Sequence, residues 1–107
     1  MGKILKKELY PIGTVVTLKG GNKKLLIYGR KVELEENDET NIYDYVSCLY
    51  PEGYLIHAKS YFFNHSSIEK MFHLGYINDE EKYLKIELLS NPILSNPKVN
   101  KHKTNKK

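Results

Sequence analysis

Cysteine occurs once in this sequence, tryptophan not at all, and no apolar run comes near the eighteen or so residues that a membrane-spanning helix needs. With Cys48 alone no disulfide forms within the chain, so the staple on which small secreted domains usually rely is excluded. The opening Met1-Gly-Lys-Ile-Leu-Lys-Lys has no apolar stretch of signal-peptide length. These absences lead to the expectation of a cytoplasmic protein. Metal-binding and phosphate-binding signatures are missing as well: there is no C-x-x-C, no H-E-x-x-H and no P-loop.

What is present suits one small soluble domain. At 107 residues, 40% hydrophobic and 28% charged, the chain can hold a single core without help. Its net charge of +4 is concentrated at one end, where Lys98, Lys101, Lys103, Lys106 and Lys107 stand without an acid. The rest has 12 basic against 13 acidic residues and is nearly neutral. From Asn91 the composition shifts to Asn-Pro pairs and then to Lys and Asn, which bury too little apolar area to offset their ordering entropy. The division expected is a β-rich domain over residues 1–91 and a disordered tail over 92–107.

Within the domain, residues 12–19 alternate apolar and small side chains and read as a strand, followed by a hairpin connection at Gly20-Gly21-Asn22. Lys24 to Leu34 is the returning strand, bent at Gly29. Glu35 to Asn41 reads as an acidic loop, Ile42 to Leu49 as a third strand, Tyr50-Pro51-Glu52-Gly53 as a β-turn, and Tyr54 to Phe63 as a fourth strand. A single turn at Asn64 to Ser67 and a strand through Gly75 follow. Asn78 with Glu81 resembles a capping box opening a helix that Pro92 stops, with Tyr83, Ile86, Leu88 and Leu89 as its apolar face. The fold class expected is α+β and mostly β: a strongly bent antiparallel sheet or small SH3-like barrel with one C-terminal helix.

Candidate chemistry is sparse. His57, His65, His73 and Cys48 have no metal-ligand spacing, and strand alternation does not force them together. Cys48 lies in a strand, where cysteine acts as a small hydrophobe, so a nucleophile pair with a histidine is not expected. Gly20-Gly21-Asn22-Lys23-Lys24 leads into a strand and not into a helix N-terminus, which makes it a turn and not a phosphate cradle. No catalytic residue, cofactor or metal is therefore expected. Nine tyrosines are the more informative feature, five of them (Tyr43, Tyr45, Tyr50, Tyr54 and Tyr61) on or beside two neighbouring strands. Such amphipathic rings serve core and rim packing, protein interfaces and base stacking alike.

The opening Pro11-Ile-Gly13-Thr-Val-Val-Thr-Leu-Lys-Gly20-Gly21, Lys24-Leu-Leu-Ile-Tyr-Gly-Arg30, Tyr43-Asp44-Tyr45-Val46 with Tyr50-Pro51-Glu52-Gly53, Phe63-Asn64-His65 with Ile68, and Gly75-Tyr76 before an acidic helix resemble a small bacterial family known only as a domain of unknown function (number 4176). The resemblance covers roughly residues 9 to 90. It implies a protein of Gram-positive bacteria encoded in type VII secretion loci near LXG toxins, with an accessory, adaptor or chaperone role toward such an effector. The partner-binding residues expected for a module of that kind are Tyr43, Tyr45, Tyr50, Tyr54, Phe62 and Phe63, which would form its apolar surface. Two other readings stand beside it. One is a nucleic-acid-binding barrel with Lys3, Lys6, Lys7 and the terminal lysines as its arm; the other is an immunity protein that turns the acids from Glu33 to Glu39 against a basic toxin face.

Overall fold

The computed structural model of the chain describes residues 8–90. The tail expected over 92–107 and the lysines at positions 3, 6 and 7 lie outside the described residues. Five strands, β1 (Val15–Leu18), β2 (Leu25–Glu36), β3 (Glu39–Leu49), β4 (Tyr61–Phe63) and β5 (Ile68–His73), precede one helix, α1 (Asp79–Ser90), and a 3-10 turn at His65–Ser67 links β4 to β5.

All pairings are antiparallel, in the order β4-β3-β2-β1-β5. This order bends the sheet. The strands β4 and β5 are its two edges, which in a flat sheet would stand about 19 Å apart. They are separated in sequence by residues 64–67 alone, wound into a tight turn, so the sheet curls to bring its edges together. Lys19 N–H bonds Ser67 C=O at 2.9 Å, tying the turn to the end of β1. The result is the strongly bent antiparallel sheet expected, open between β4 and β5.

Three local expectations change. The acidic segment is not a loop: β2 and β3 form one long hairpin whose two-residue turn is Asn37-Asp38, with φ of 50° and 65°, and Glu36 pairs with Glu39. Asn and Asp tolerate the left-handed region that such a turn requires, and carboxylates on a solvated ladder do not interrupt it. The fourth strand is only Tyr61–Phe63, because residues 54–60 leave the sheet in a loop where Ala58 N–H bonds Leu55 C=O and His57 has φ of 69°. In β1 both Val15 and Val16 are buried, since this strand lies inside the sheet with β2 on one side and β5 on the other.

Two glycines fit positions that no other residue would fill. A Cβ on Gly29 would stand 2.6 Å from Val46 Cγ1, at the register shift where β2 bends. One on Gly75 would stand 2.1 Å from the Ile12 carbonyl oxygen, where Gly75 N–H donates to Thr14 Oγ1 at 3.0 Å.

The core consists of Leu9, Val16, Leu25, Ile27, Tyr45 and Phe63, closed by Tyr10, Leu18, Leu49, Ile68, Leu88 and Leu89. Asn78 caps α1 by accepting Glu81 N–H at 3.0 Å. The return half of the expected capping box is absent, because the Glu81 carboxylate is taken by Arg30. The apolar face expected of α1 is also divided: Leu88 and Leu89 meet the core, while Tyr83 and Ile86 face solvent.

Candidate protein-binding surface

The six aromatic residues expected to bind a partner separate into three groups. Tyr45 and Phe63 belong to the core, their rings 5.4 Å apart, and offer a partner nothing. The reason is register: Tyr45 pairs with Phe63 across β3 and β4, on the concave side of the curled sheet. Tyr43 and Phe62 are half-buried against each other at 6.0 Å. Tyr50 and Tyr54 are exposed at the end of β3 and in the loop that follows.

Around these last two the structure gathers residues that the sequence pattern had not marked. Tyr54 is 70% exposed and meets the edge of the Tyr28 ring at 5.9 Å; Leu55 and Ile56 follow it outward, Ile56 at 81% exposure. Tyr28 is fixed in turn by a 2.6 Å hydrogen bond between its hydroxyl and that of Ser60. The turn beneath is anchored by Tyr50 N–H to Lys24 C=O and Gly53 N–H to Leu49 C=O. Lys23 binds both Glu52 oxygens at its rim, and this hydrogen-bonded ammonium holds the Glu52 carboxyl below its ordinary pKa. Tyr28 and Tyr54 thus pair at the surface, and Tyr50, Leu55 and Ile56 are exposed in the same turn and loop. Leu55 and Ile56 were hidden in the sequence because Tyr54 to Phe63 has the composition of a strand.

A polar network lies behind the curled sheet. The Tyr45 hydroxyl accepts Tyr10 N–H at 2.8 Å and meets His65 Nδ1 at 2.6 Å. The hydroxyl thus joins the backbone of the N-terminal segment to the imidazole of the β4–β5 turn. Asp44 accepts the His65 backbone N–H at 2.9 Å and Lys31 Nζ at 2.9 Å, and Asp44 N–H donates to Asn64 Oδ1. These bonds pin the β4–β5 connection to β3. Burial pushes the Tyr45 phenol well above its ordinary pKa, so it stays a neutral hydrogen-bonding group. Asp44 addresses the backbone of His65 and not its ring, so the set is a clamp in geometry and not an oriented acid–base dyad.

The remaining polar candidates are dispersed. Cys48 is buried with its thiol toward Leu26 C=O at 3.8 Å, His57 is in the exposed loop and His73 on β5. Among the described residues, no three His, Cys, Asp or Glu side chains group as metal ligands, and no helix is long and apolar enough to cross a membrane. A cavity of about 340 Å3 opens between the segment 8–11, the end of β5 and α1, walled by Leu9, Pro11, Met71, Leu74 and Ile77 with Lys82 and Lys85 at α1.

The sequence model of the family described as "Domain of unknown function (DUF4176)" matches residues 9–84. The chain belongs to the DUF4176 family. No curated protein and no solved structure matches it. The DUF4176 match takes in the whole sheet, Tyr50 and Tyr54, the Tyr45–His65 clamp and the first half of α1.

Proposed function

We propose that this DUF4176 protein is a non-enzymatic cytoplasmic binding module, an accessory protein, chaperone or adaptor for a type VII secreted toxin of the LXG kind. The observation that carries the reading is the Tyr54-Leu55-Ile56 loop, three consecutive large apolar side chains exposed to solvent, with the Tyr54 ring against that of Tyr28. Large apolar residues grouped on a surface mark a protein contact more often than chance exposure does. Aromatic anchors on an ordered base are the features in which interfaces concentrate their energy. The link to LXG toxins rests on the family resemblance and its implied genomic setting.

The immunity reading is favoured by one different observation. The β2–β3 hairpin carries Glu33, Glu35, Glu36, Asp38 and Glu39 around its tip, a form suited to a basic cleft. The nucleic-acid reading gains least, because residues 8–90 hold 9 basic against 13 acidic side chains, net −4. Co-expression with the neighbouring toxin separates the readings. A chaperone or adaptor is lost from the complex when Tyr54 and Ile56 become Ser; an immunity protein is lost when Glu33 and Glu36 become Lys.

A further inference from the structure

The cavity between the segment 8–11, the end of β5 and α1 shares no residue with the Tyr54 surface. Its volume of about 340 Å3 lies in the range of small-molecule sites. Leu9, in its wall, belongs to the core, whereas Met71, Leu74 and Ile77 stay 38%, 43% and 43% exposed, so the wall presents apolar area to an occupant. Contacts within the fold hold that wall in place. Tyr10 N–H donates to the Tyr45 hydroxyl at 2.8 Å, Tyr10 C=O accepts Arg30, and Pro11 C=O accepts the Thr14 hydroxyl at 2.8 Å. On the other side the Arg30–Glu81 pair, 2.7 Å on each arm, fixes α1. A hollow between elements pinned in this way needs little ordering when a ligand enters, which lowers the cost of binding.

The charges around the cavity select a sign. Four of its lining residues are charged: Glu8, Glu81, Lys82 and Lys85. Arg30 neutralises Glu81, while Glu8, Lys82 and Lys85 form no ion pair with any described residue, which leaves an excess of one positive charge. Lys82 and Lys85 are three positions apart and therefore neighbours on one side of α1, where two ammoniums can converge on one anion. The lining also decides against a peptide. It offers one side-chain hydroxyl, on Tyr10, and no side-chain amide, and the Tyr10 backbone N–H and C=O are already engaged. Peptide groups placed there would lose their hydrogen bonds to water without replacement, whereas an unbranched hydrocarbon chain needs none.

We propose that this cavity binds a medium-chain aliphatic carboxylate, with its hydrocarbon chain among Leu9, Pro11, Met71, Leu74 and Ile77 and its head group at Lys82 and Lys85. The site is separate from the Tyr54 surface and does not depend on the client reading. The test is calorimetric titration of the full chain with decanoate below its micelle concentration, alongside hexanoate and decanol, with methyl NMR spectra to locate the contact. Decanoate should bind one-to-one and at least about tenfold tighter than hexanoate, whose shorter chain leaves apolar wall uncovered. Decanol, with the same chain and no charge, should bind about tenfold more weakly than decanoate. Lys82→Gln with Lys85→Gln should remove the advantage of decanoate over decanol and leave the affinity for decanol unchanged, and that retained binding reports an intact fold. The methyl shifts should fall on Leu9, Leu74 and Ile77. Absence of saturable decanoate binding overturns the proposal, as does equal affinity of the native protein for decanoate and decanol. Shifts confined to Leu55 and Ile56 overturn it too, and assign the probe to the Tyr54 surface.

Discussion

Arg30 and Glu81 meet through two parallel N–H···O bonds of 2.7 Å each, with 4% and 12% of their side chains exposed, and this pair binds α1 to the sheet. Arg30 also donates to Tyr10 C=O at 3.3 Å, so one guanidinium joins the helix, β2 and the N-terminal segment. Removing one member leaves a buried charge without its partner. Arg30→Ala or Glu81→Ala should therefore cost about 3–5 kcal/mol in urea unfolding. Arg30→Lys should rescue little, because an ammonium cannot reproduce the planar fork. The double change to Met at both positions should be far milder than either single truncation.

Tyr45→Phe deletes the hydroxyl that receives Tyr10 N–H and is hydrogen-bonded to His65 Nδ1, and should cost about 1–3 kcal/mol. It should also change the response to alkali. The folded phenol has its pKa raised by burial, so the unfolded chain loses this proton first as pH rises. Stability from this group is complete below the ordinary tyrosine pKa and is lost above about pH 10. Unfolding curves at pH 8 to 11 should fall more steeply for the native protein than for Tyr45→Phe, whose deficit shrinks with pH.

Gly75→Ala should be among the most damaging single-methyl additions, because the new Cβ meets backbone and not a movable side chain. Overpacking of this kind costs about 1–3 kcal/mol or more. Gly20→Ala, where nothing stands within 4 Å, should cost only the strain of its positive φ, about 1 kcal/mol. Thermal midpoints of the two variants check the contrast.

Most strands of the sheet were legible because β-branched and aromatic runs bounded by Gly and Pro leave few other solutions, but the same composition over residues 54–60 belongs to a loop, and only Tyr61–Phe63 is strand. Gly29 announced its bend, and Asn78 its cap, by residue type alone. The hairpin tip was not legible, since a run of carboxylates looks the same whether it lies in a solvated loop or on a solvated ladder. Tyr45 and Tyr54 are the same residue type in similar company, yet one is core and the other surface. Only the pairing of Tyr45 with Phe63 across a curled sheet decides between them. Arg30–Glu81 spans 51 positions and leaves no local signal. Tyr83 and Ile86 were misassigned because the helix carries apolar residues on two sides, and spacing alone does not say which side meets the core.

The central claim is that the Tyr54-Leu55-Ile56 loop holds a toxin client. The most direct measurement co-expresses the chain with the LXG-type toxin that the proposal names as its client, purifies by a tag on the toxin, and reads both recovery and thermal midpoint for the native protein and for Tyr54→Ser with Ile56→Ser. Losing two aromatic or aliphatic anchors should weaken binding by about 2–4 kcal/mol, enough to empty the complex at micromolar concentration, while the midpoint of the exposed-loop variant stays within a few degrees of native. Full recovery of the well-folded double variant, or no recovery of the native protein with the toxin, would contradict the account.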